Sequence, residues 1–326
     1  MSGLRYPTLG DVERARETIA PWLRPTPLVS SAALDERMGM RLFVKCENVQ
    51  PIGAFKVRGG VNLMASLSPE ELSRGVVTAS TGNHGQSIAW AARAFGAKAR
   101  IYMPEQANPL KVAAMLRNGA EVICEGPDFD AARETAEQWA NEHGWLYDQP
   151  ANEPRLIAGV GTYMLEILDE VPDIDAVIVP VGGGSGVCGA CIAGKGRHPD
   201  LRVIGVQAEG APAAFQSWKT GTLKTLPTAN TFAEGVATRA TASLPAAIMR
   251  DSLDDFRLVS DDDMRRGIAT LLETTRMLAE GAGAAALAAV AGMRDDWGDK
   301  NVAIVLSGGN LTLEGLSAAL AVERPW

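Results

Sequence analysis

Short, almost uninterrupted apolar runs alternate along this chain with helical patterns, and that alternation restricts the fold more than any other feature. The runs cover residues 42–45, 76–79, 99–103, 121–124, 176–180, 203–207 and 302–306. They are near-continuous and do not alternate polar with apolar, as a half-solvated sheet would. Runs of this kind suit parallel strands covered on both faces. Between them, apolar residues recur at helical spacing over 86–95, 110–118, 130–142, 155–170 and 187–195, with a last helix over 313–320. Phe95-Gly96 and Asn118-Gly119 have the form of helix stops, with glycine supplying the left-handed cap. The repeated strand–helix order predicts an α/β fold of open, mostly parallel twisted sheets flanked by helices.

Two strand–helix series are visible, 76–124 and 176–207. The less regular stretch Asp148-Gln149-Pro150-Ala151-Asn152-Glu153-Pro154 separates them and reads as a domain crossing. A chain of 326 residues is too long for one small core, so two domains or one large α/β unit are expected. Only one helix follows the run at 302–306, so no appended regulatory domain is expected.

Charge and composition exclude several function classes. The formal net charge is −8, which argues against a nucleic-acid partner. No apolar run is long enough to cross a bilayer, and the first residues lack the apolar core of a signal peptide, so a cytoplasmic protein is expected. Cys188 and Cys191 have the spacing of a redox or zinc motif, but there is no second ligand pair and the chain has only three histidines. They read as small residues packing a helix.

Four segments carry chemistry. Ala79-Ser80-Thr81-Gly82-Asn83-His84-Gly85-Gln86 follows a strand and opens a helix, where free backbone N–H groups attract an anion such as a carboxylate. An ordinary helix cap would look similar. Val181-Gly182-Gly183-Gly184-Ser185-Gly186 also follows a strand. Four glycines so close are costly to order, and they let several N–H groups converge on one phosphate. The turn is neither a Walker loop nor a dinucleotide fingerprint; a tight strand-to-helix turn would look similar, but the phosphate reading is favoured. Leu306-Ser307-Gly308-Gly309-Asn310 is a third turn of small residues after a buried strand. The fourth segment is Gly53-Ala54-Phe55-Lys56-Val57-Arg58-Gly59-Gly60. A lysine set between Phe and Val is not placed like a surface lysine. Burial would lower its pKa and make it a nucleophilic amine.

A reactive amine, a phosphate cradle and a carboxylate turn are what pyridoxal phosphate and an amino acid require. The four segments resemble, in order and spacing, those of the fold-type-II (tryptophan synthase β-like) pyridoxal-phosphate enzymes, most closely the threonine/serine dehydratase and serine racemase branch. Residues 232–237 and 279–284 extend the resemblance over nearly the whole chain. It implies a larger cofactor-binding domain of 1–72 and 151–326, a smaller substrate-loop domain of 73–150, and a homodimer. It also implies pyridoxal 5'-phosphate bound to Lys56 as a Schiff base, with Phe55 against its ring and Asn83 at its phenolic oxygen. Gly182, Gly183, Gly184, Ser185 and Gly186 would hold the phosphate. Ser307 would meet the ring nitrogen, and Glu280 would belong to the cofactor site. Ser80, Thr81, Gly82, Asn83 and His84 would take the substrate carboxylate, and Lys56 would remove the α-proton. A serine at the ring nitrogen makes a weaker electron sink than an aspartate, which suits rapid β-elimination.

The chain departs from the branch at several positions. Ala54 stands where serine is usual. Thr81 stands where dehydratases typically have alanine and racemases serine, so a second proton donor and racemase activity stay open. Glu209 fits the first ligand of the branch's divalent-metal site, but Ala213 and Phe215 follow, and no metal is expected. Arg133 and Thr238 align with substrate contacts of the branch, and Arg239 adjoins Thr238. A cation there would suit 3-hydroxyaspartate; the plainer reading of Arg133 is a solvated helix residue. The expected reaction is loss of water from a β-hydroxy amino acid such as L-threonine or L-serine, with racemisation or 3-hydroxyaspartate dehydration as alternatives.

Overall fold

The computed structural model describes residues 5–323 and 326. Its strands, in chain order, are β1 (Leu28–Ser30), β2 (Leu42–Cys46), β3 (Val76–Ala79), β4 (Ala99–Met103), β5 (Glu121–Cys124), β6 (Leu146–Tyr147), β7 (Ala176–Pro180), β8 (Arg202–Ala208), β9 (Asp255–Val259) and β10 (Val302–Leu306). They form a six-stranded sheet in the order β1-β2-β10-β7-β8-β9 and a four-stranded sheet in the order β5-β4-β3-β6. Every pairing is parallel except that of β1 with β2.

Burial on both faces explains the near-continuous apolar runs. Along β10, Val302, Ile304 and Leu306 enter one core while Ala303 and Val305 enter another, as the two-residue period of a strand dictates. The first core is closed by the helices Asp261–Thr275 and Gly281–Ala291, the second by Pro154–Glu170 and Ser185–Arg197. The four-stranded sheet has its own core, where Val76 and Ile101 meet Val57, Val61 and Met64 from the helix Lys56–Ala65.

That helix is clamped by backbone approach. A Cβ on Gly159 would lie 2.5 Å from the Arg58 carbonyl oxygen, and one on Gly60 would lie 2.4 Å from the Ser87 hydroxyl. Glycine lets the neighbouring helices Pro154–Glu170 and Asn83–Ala94 touch the helix Lys56–Ala65 from two sides. A buried ion network fixes it further. Arg58 makes paired contacts to Glu47 (2.7 and 2.8 Å) and to Glu166 (2.6 and 2.8 Å). Lys45 reaches Glu166 at 2.6 Å, and Thr26 donates to Glu47 at 2.6 Å. Two cations and two carboxylates balance, and the pairing outweighs burial in keeping Arg58 protonated.

β10 and β7 run side by side in register from Val302 and Ala176, so the turns that follow them are neighbours. β3 lies between β4 and β6, and the chain leaves it toward β4 and returns on the other side at β6. Such reversals leave a crevice at the carboxyl ends of the strands, where ligands bind.

Candidate active site

Lys56 is the first residue of its helix. The backbone before it is tied to the β10 turn, with Phe55 N–H donating to the Ser307 carbonyl at 3.0 Å and Ala54 bridging to Gly308. Lys56 Nζ reaches the Ser185 hydroxyl at 2.8 Å, in the first turn of the helix Ser185–Arg197. Burial lowers the Lys56 pKa from 10.5 to about 8, against the opposing pull of Asp148. The Phe55 ring lies 3.5 Å from where a Gly186 side chain would begin, so the ring and the glycine turn face one another.

The turn after β7 has the properties a phosphate needs. Gly184 holds φ of 95°, the left-handed region glycine adopts without strain, and serves as the helix N-cap. The first intrahelical bond is Cys188 N–H to the Gly184 carbonyl at 3.0 Å, so the amides of Ser185, Gly186 and Val187 precede the helical ladder. A side chain on Gly182 would begin 2.1 Å from the Gly235 carbonyl oxygen, which leaves room only for backbone. Thr238 supports this turn from outside, donating to the Gly182 carbonyl at 3.4 Å and accepting from Gln207 at 3.2 Å. Pyridoxal phosphate fits this donor set: an amine of lowered pKa stands beside a helix N-terminus with unpaired amides.

The turn after β3 is helical sooner than its composition suggests, for the helix Asn83–Ala94 includes Asn83 and His84. The Ser80 hydroxyl accepts from the N–H groups of Gly82 (3.3 Å) and Gly85 (2.9 Å), while Thr81 is exposed at the crevice. Asn83 donates to Glu280 at 2.8 Å and accepts from Asn310 at 2.8 Å. Burial pushes the Glu280 carboxyl up to about 7, although Asn83, Lys111 and Asn310 favour its charged form. Lys111 also pairs with Glu234. The His84 ring meets Asp148, which stands one residue beyond β6, at 2.8 Å between Nε2 and Oδ2.

The structure therefore brings Phe55, Lys56, Gly182, Gly184, Ser185, Gly186 and Ser307 together, with Ser80, Asn83, His84 and Glu280 linked around the neighbouring turn. Gly183 and Gly82 lie within these two turns. Arg133 is placed differently. It lies on the helix Phe129–His143, partly exposed, and pairs with Asp130 (3.8 Å), Glu134 (3.3 Å) and Glu137 (3.4 Å). Arg239 also pairs with Asp130. Among the described residues, no group of three or more His, Cys, Asp or Glu is placed to hold a metal ion, and no helix is long and apolar enough to cross a membrane. Asp148 and Arg58 were not singled out by the sequence.

The fold and the site define a pyridoxal-phosphate-dependent enzyme, and the family pattern of that description matches residues 19–308. The chain belongs to this family, in the threonine/serine dehydratase and serine racemase branch. It is 40% identical over 314 residues to the L-threonine ammonia-lyase of Geobacter sulfurreducens, covering 96% of this chain and 77% of that protein. It is 35% identical over 308 residues to the L-threo-3-hydroxyaspartate ammonia-lyase of Saccharomyces cerevisiae, covering 94% of each. Among solved structures, maize serine racemase superposes with a TM-score of 0.91 at 32% identity, over 97% of both chains.

Proposed function

We propose that this protein is a dehydratase that removes water from a β-hydroxy amino acid, such as L-threonine or L-serine, to give a 2-oxo acid and ammonia. The observation that carries the reading is the contact of Lys56 Nζ with Ser185 Oγ, which sets a nucleophilic amine on an anion-holding turn. The names of the curated relatives at 40% and 35% identity support it.

When bound, pyridoxal phosphate supplies the electron sink that stabilises charge at the substrate's α-carbon. Lys56 would hold its aldehyde, Phe55 would pack on its ring, and Asn83 and Ser307 would take its phenolic oxygen and ring nitrogen. Glu280 steadies Asn83. The amides of the 182–186 turn would hold its phosphate. Ser80, Thr81, Gly82, Asn83 and His84 bind the substrate carboxylate. The free Lys56 amine would take the α-proton and return it to the departing β-hydroxyl, which leaves as water; hydrolysis of the remaining enamine would give the 2-oxo acid and ammonia.

The division into domains of 1–72 with 151–326, and 73–150, belongs to this reading, with one sheet in each and the site between them. A homodimer is supported by the branch. A cytoplasmic setting is supported by four cysteines that are all free thiols. A neutral side chain is favoured over the acidic one of 3-hydroxyaspartate, because three carboxylates already engage Arg133. The test is 2-oxo acid release from L-threonine, L-serine and threo-3-hydroxyaspartate. Threonine or serine is expected to lead by at least about tenfold in kcat/KM. Failure with all three rejects the reading.

A further inference from the structure

The crevice contains a buried acid–base pair, His84 and Asp148, whose acid has no part in the reaction above. β3 and β6 are parallel neighbours whose carboxyl ends open on the same crevice. β3 delivers the turn Ser80–His84, and β6 delivers Asp148. The Asp148 backbone is fixed twice. Its N–H donates to the Val77 carbonyl at 2.8 Å, and its carbonyl accepts from the Thr78 hydroxyl at 3.0 Å. The carboxylate is thereby presented, fully buried, to the buried His84 ring, with Oδ2 2.8 Å from Nε2.

Among the described residues, neither carboxylate oxygen of Asp148 nor His84 Nε2 has a partner of hydrogen-bond geometry. The two groups touch without the alignment of a directed bond. A buried carboxylate lacking donors is costly unless a cation faces it. The charged and titratable groups around it are Lys56 from its own helix, Arg155 from the helix Pro154–Glu170, Tyr147 next in sequence, and His84. Lys56 is directed to Ser185. Arg155 is held by both oxygens of Glu153, at 2.8 Å each. Burial keeps the Tyr147 phenol neutral. His84 is the group in contact.

We propose that Asp148 is a positioning residue that holds His84 as an imidazolium against the substrate's α-carboxylate. The proposal rests on the reading that the Ser80–His84 turn binds that carboxylate. Asp148 faces Nε2, so Nε2 keeps its proton. A carboxylate ligand at Nδ1 requires a donor there as well, and only the doubly protonated ring satisfies both. Ser80, Thr81, Gly82 and Asn83 bear no charge. His84 therefore gives the turn its full positive charge, and Asp148 fixes where that charge points. Removing Asp148 should weaken capture of the carboxylate more than the proton transfer at the α-carbon.

The experiment reads the His84 ring directly in the holoenzyme. The chain has three histidines, so nitrogen-15 NMR separates their rings, and His84→Gln assigns the signal. With acetate as the carboxylate probe, wild type is expected to carry protons on both ring nitrogens at neutral pH. Asp148→Asn should carry one and bind acetate about tenfold more weakly, the loss of one charge-assisted contact. In steady state, Asp148→Asn should raise KM about tenfold and lower kcat by less; in a His84→Gln background it should change KM little. A singly protonated ring in acetate-bound wild type overturns the proposal, whether or not the variant folds. Unchanged acetate affinity and KM in a folded Asp148→Asn protein also overturn it. Absence of 2-oxo acid release by wild type would instead reject the dehydratase reading, while the NMR and acetate results still decide the role of Asp148.

Discussion

Lys56 Nζ and Ser185 Oγ lie 2.8 Å apart, although 129 residues separate them in the chain. Each stands in the first turn of its own helix. One helix brings an amine with little water around it, and the other brings unpaired amides and the positive end of a dipole. The contact therefore joins the amine to the glycine turn. The helix Lys56–Ala65 is held between two others by glycine contacts and by Arg58, so little of the amine's position is left to loop motion.

The first prediction concerns the amine. The free base of a lysine is its reactive form, and it predominates above the pKa. Burial has lowered that pKa from 10.5 to about 8. Uptake of pyridoxal phosphate by the cofactor-free protein, followed by its visible absorbance, should rise with pH through about 8 and then level off. A rate still climbing tenfold per unit between about pH 9 and 10 would describe a solvated lysine instead. Lys56→Ala should lose both the absorbance and 2-oxo acid release, with an unchanged far-ultraviolet circular dichroism spectrum.

The glycine turn gives a second prediction. Gly184 has φ of 95°, and a Cβ there would lie 2.7 Å from the Pro245 Cβ. Alanine must shift the turn or hold a strained backbone, at about 1–3 kcal/mol. Gly184→Ala should therefore weaken cofactor retention by at least about tenfold, measured as residual absorbance after dialysis. Gly221 is a suitable control, for its φ of 69° carries similar backbone strain while nothing lies within 4 Å of its added Cβ. Gly221→Ala should cost stability without releasing cofactor. Equal retention in both variants would remove the turn at 182–186 from the phosphate site.

Removal of Arg58 tests what holds the reactive helix. Arg58→Met leaves Glu47 and Glu166 buried without their forked partner, and only Lys45 remains to offset them. Breaking a buried pair in this way costs about 3–5 kcal/mol. The urea midpoint should fall accordingly, with the slope of the transition unchanged. A loss below about 1 kcal/mol would show that the carboxylates find water or protons easily.

The legibility of the chain follows burial. The runs read at 76–79, 99–103, 176–180 and 302–306 coincide with β3, β4, β7 and β10, which are almost wholly buried, and the run at 121–124 coincides with the partly exposed edge strand β5. β6 escaped because two residues carry no periodicity, and β9 because its charged residues Asp255 and Arg257 lie along the sheet edge. Both helices that open the candidate site begin earlier than their apolar pattern. The helix read from 86 starts at Asn83, and the one read from 187 starts at Ser185. Small polar residues read as loop, yet there they form the first helical turn, where unpaired amides are wanted. The site was legible because glycine and lysine are costly choices in such places. Asp148 was not, since its importance lies in a partner 64 positions earlier, set by strand pairing. The Arg58 network draws on three distant segments for the same reason.

The last prediction concerns the choice between elimination and racemisation. Elimination needs one base, Lys56, on one face of the α-carbon. Racemisation needs a second proton donor on the opposite face, and Thr81 is the residue the motif offers. Thr81 is exposed at the crevice, so its side chain is not locked by packing. Its β-branching still leaves it fewer rotamers than serine has to bring the hydroxyl into line. Elimination should therefore be the main activity, with inversion slow. The measurement is 2-oxo acid release in deuterated water, run beside the chirality and α-deuterium content of recovered substrate. Thr81→Ser should raise inversion, and Thr81→Ala should abolish it while 2-oxo acid release falls by less. If wild type inverts its substrate faster than it releases 2-oxo acid, a second proton donor is already in place and the protein acts as a racemase.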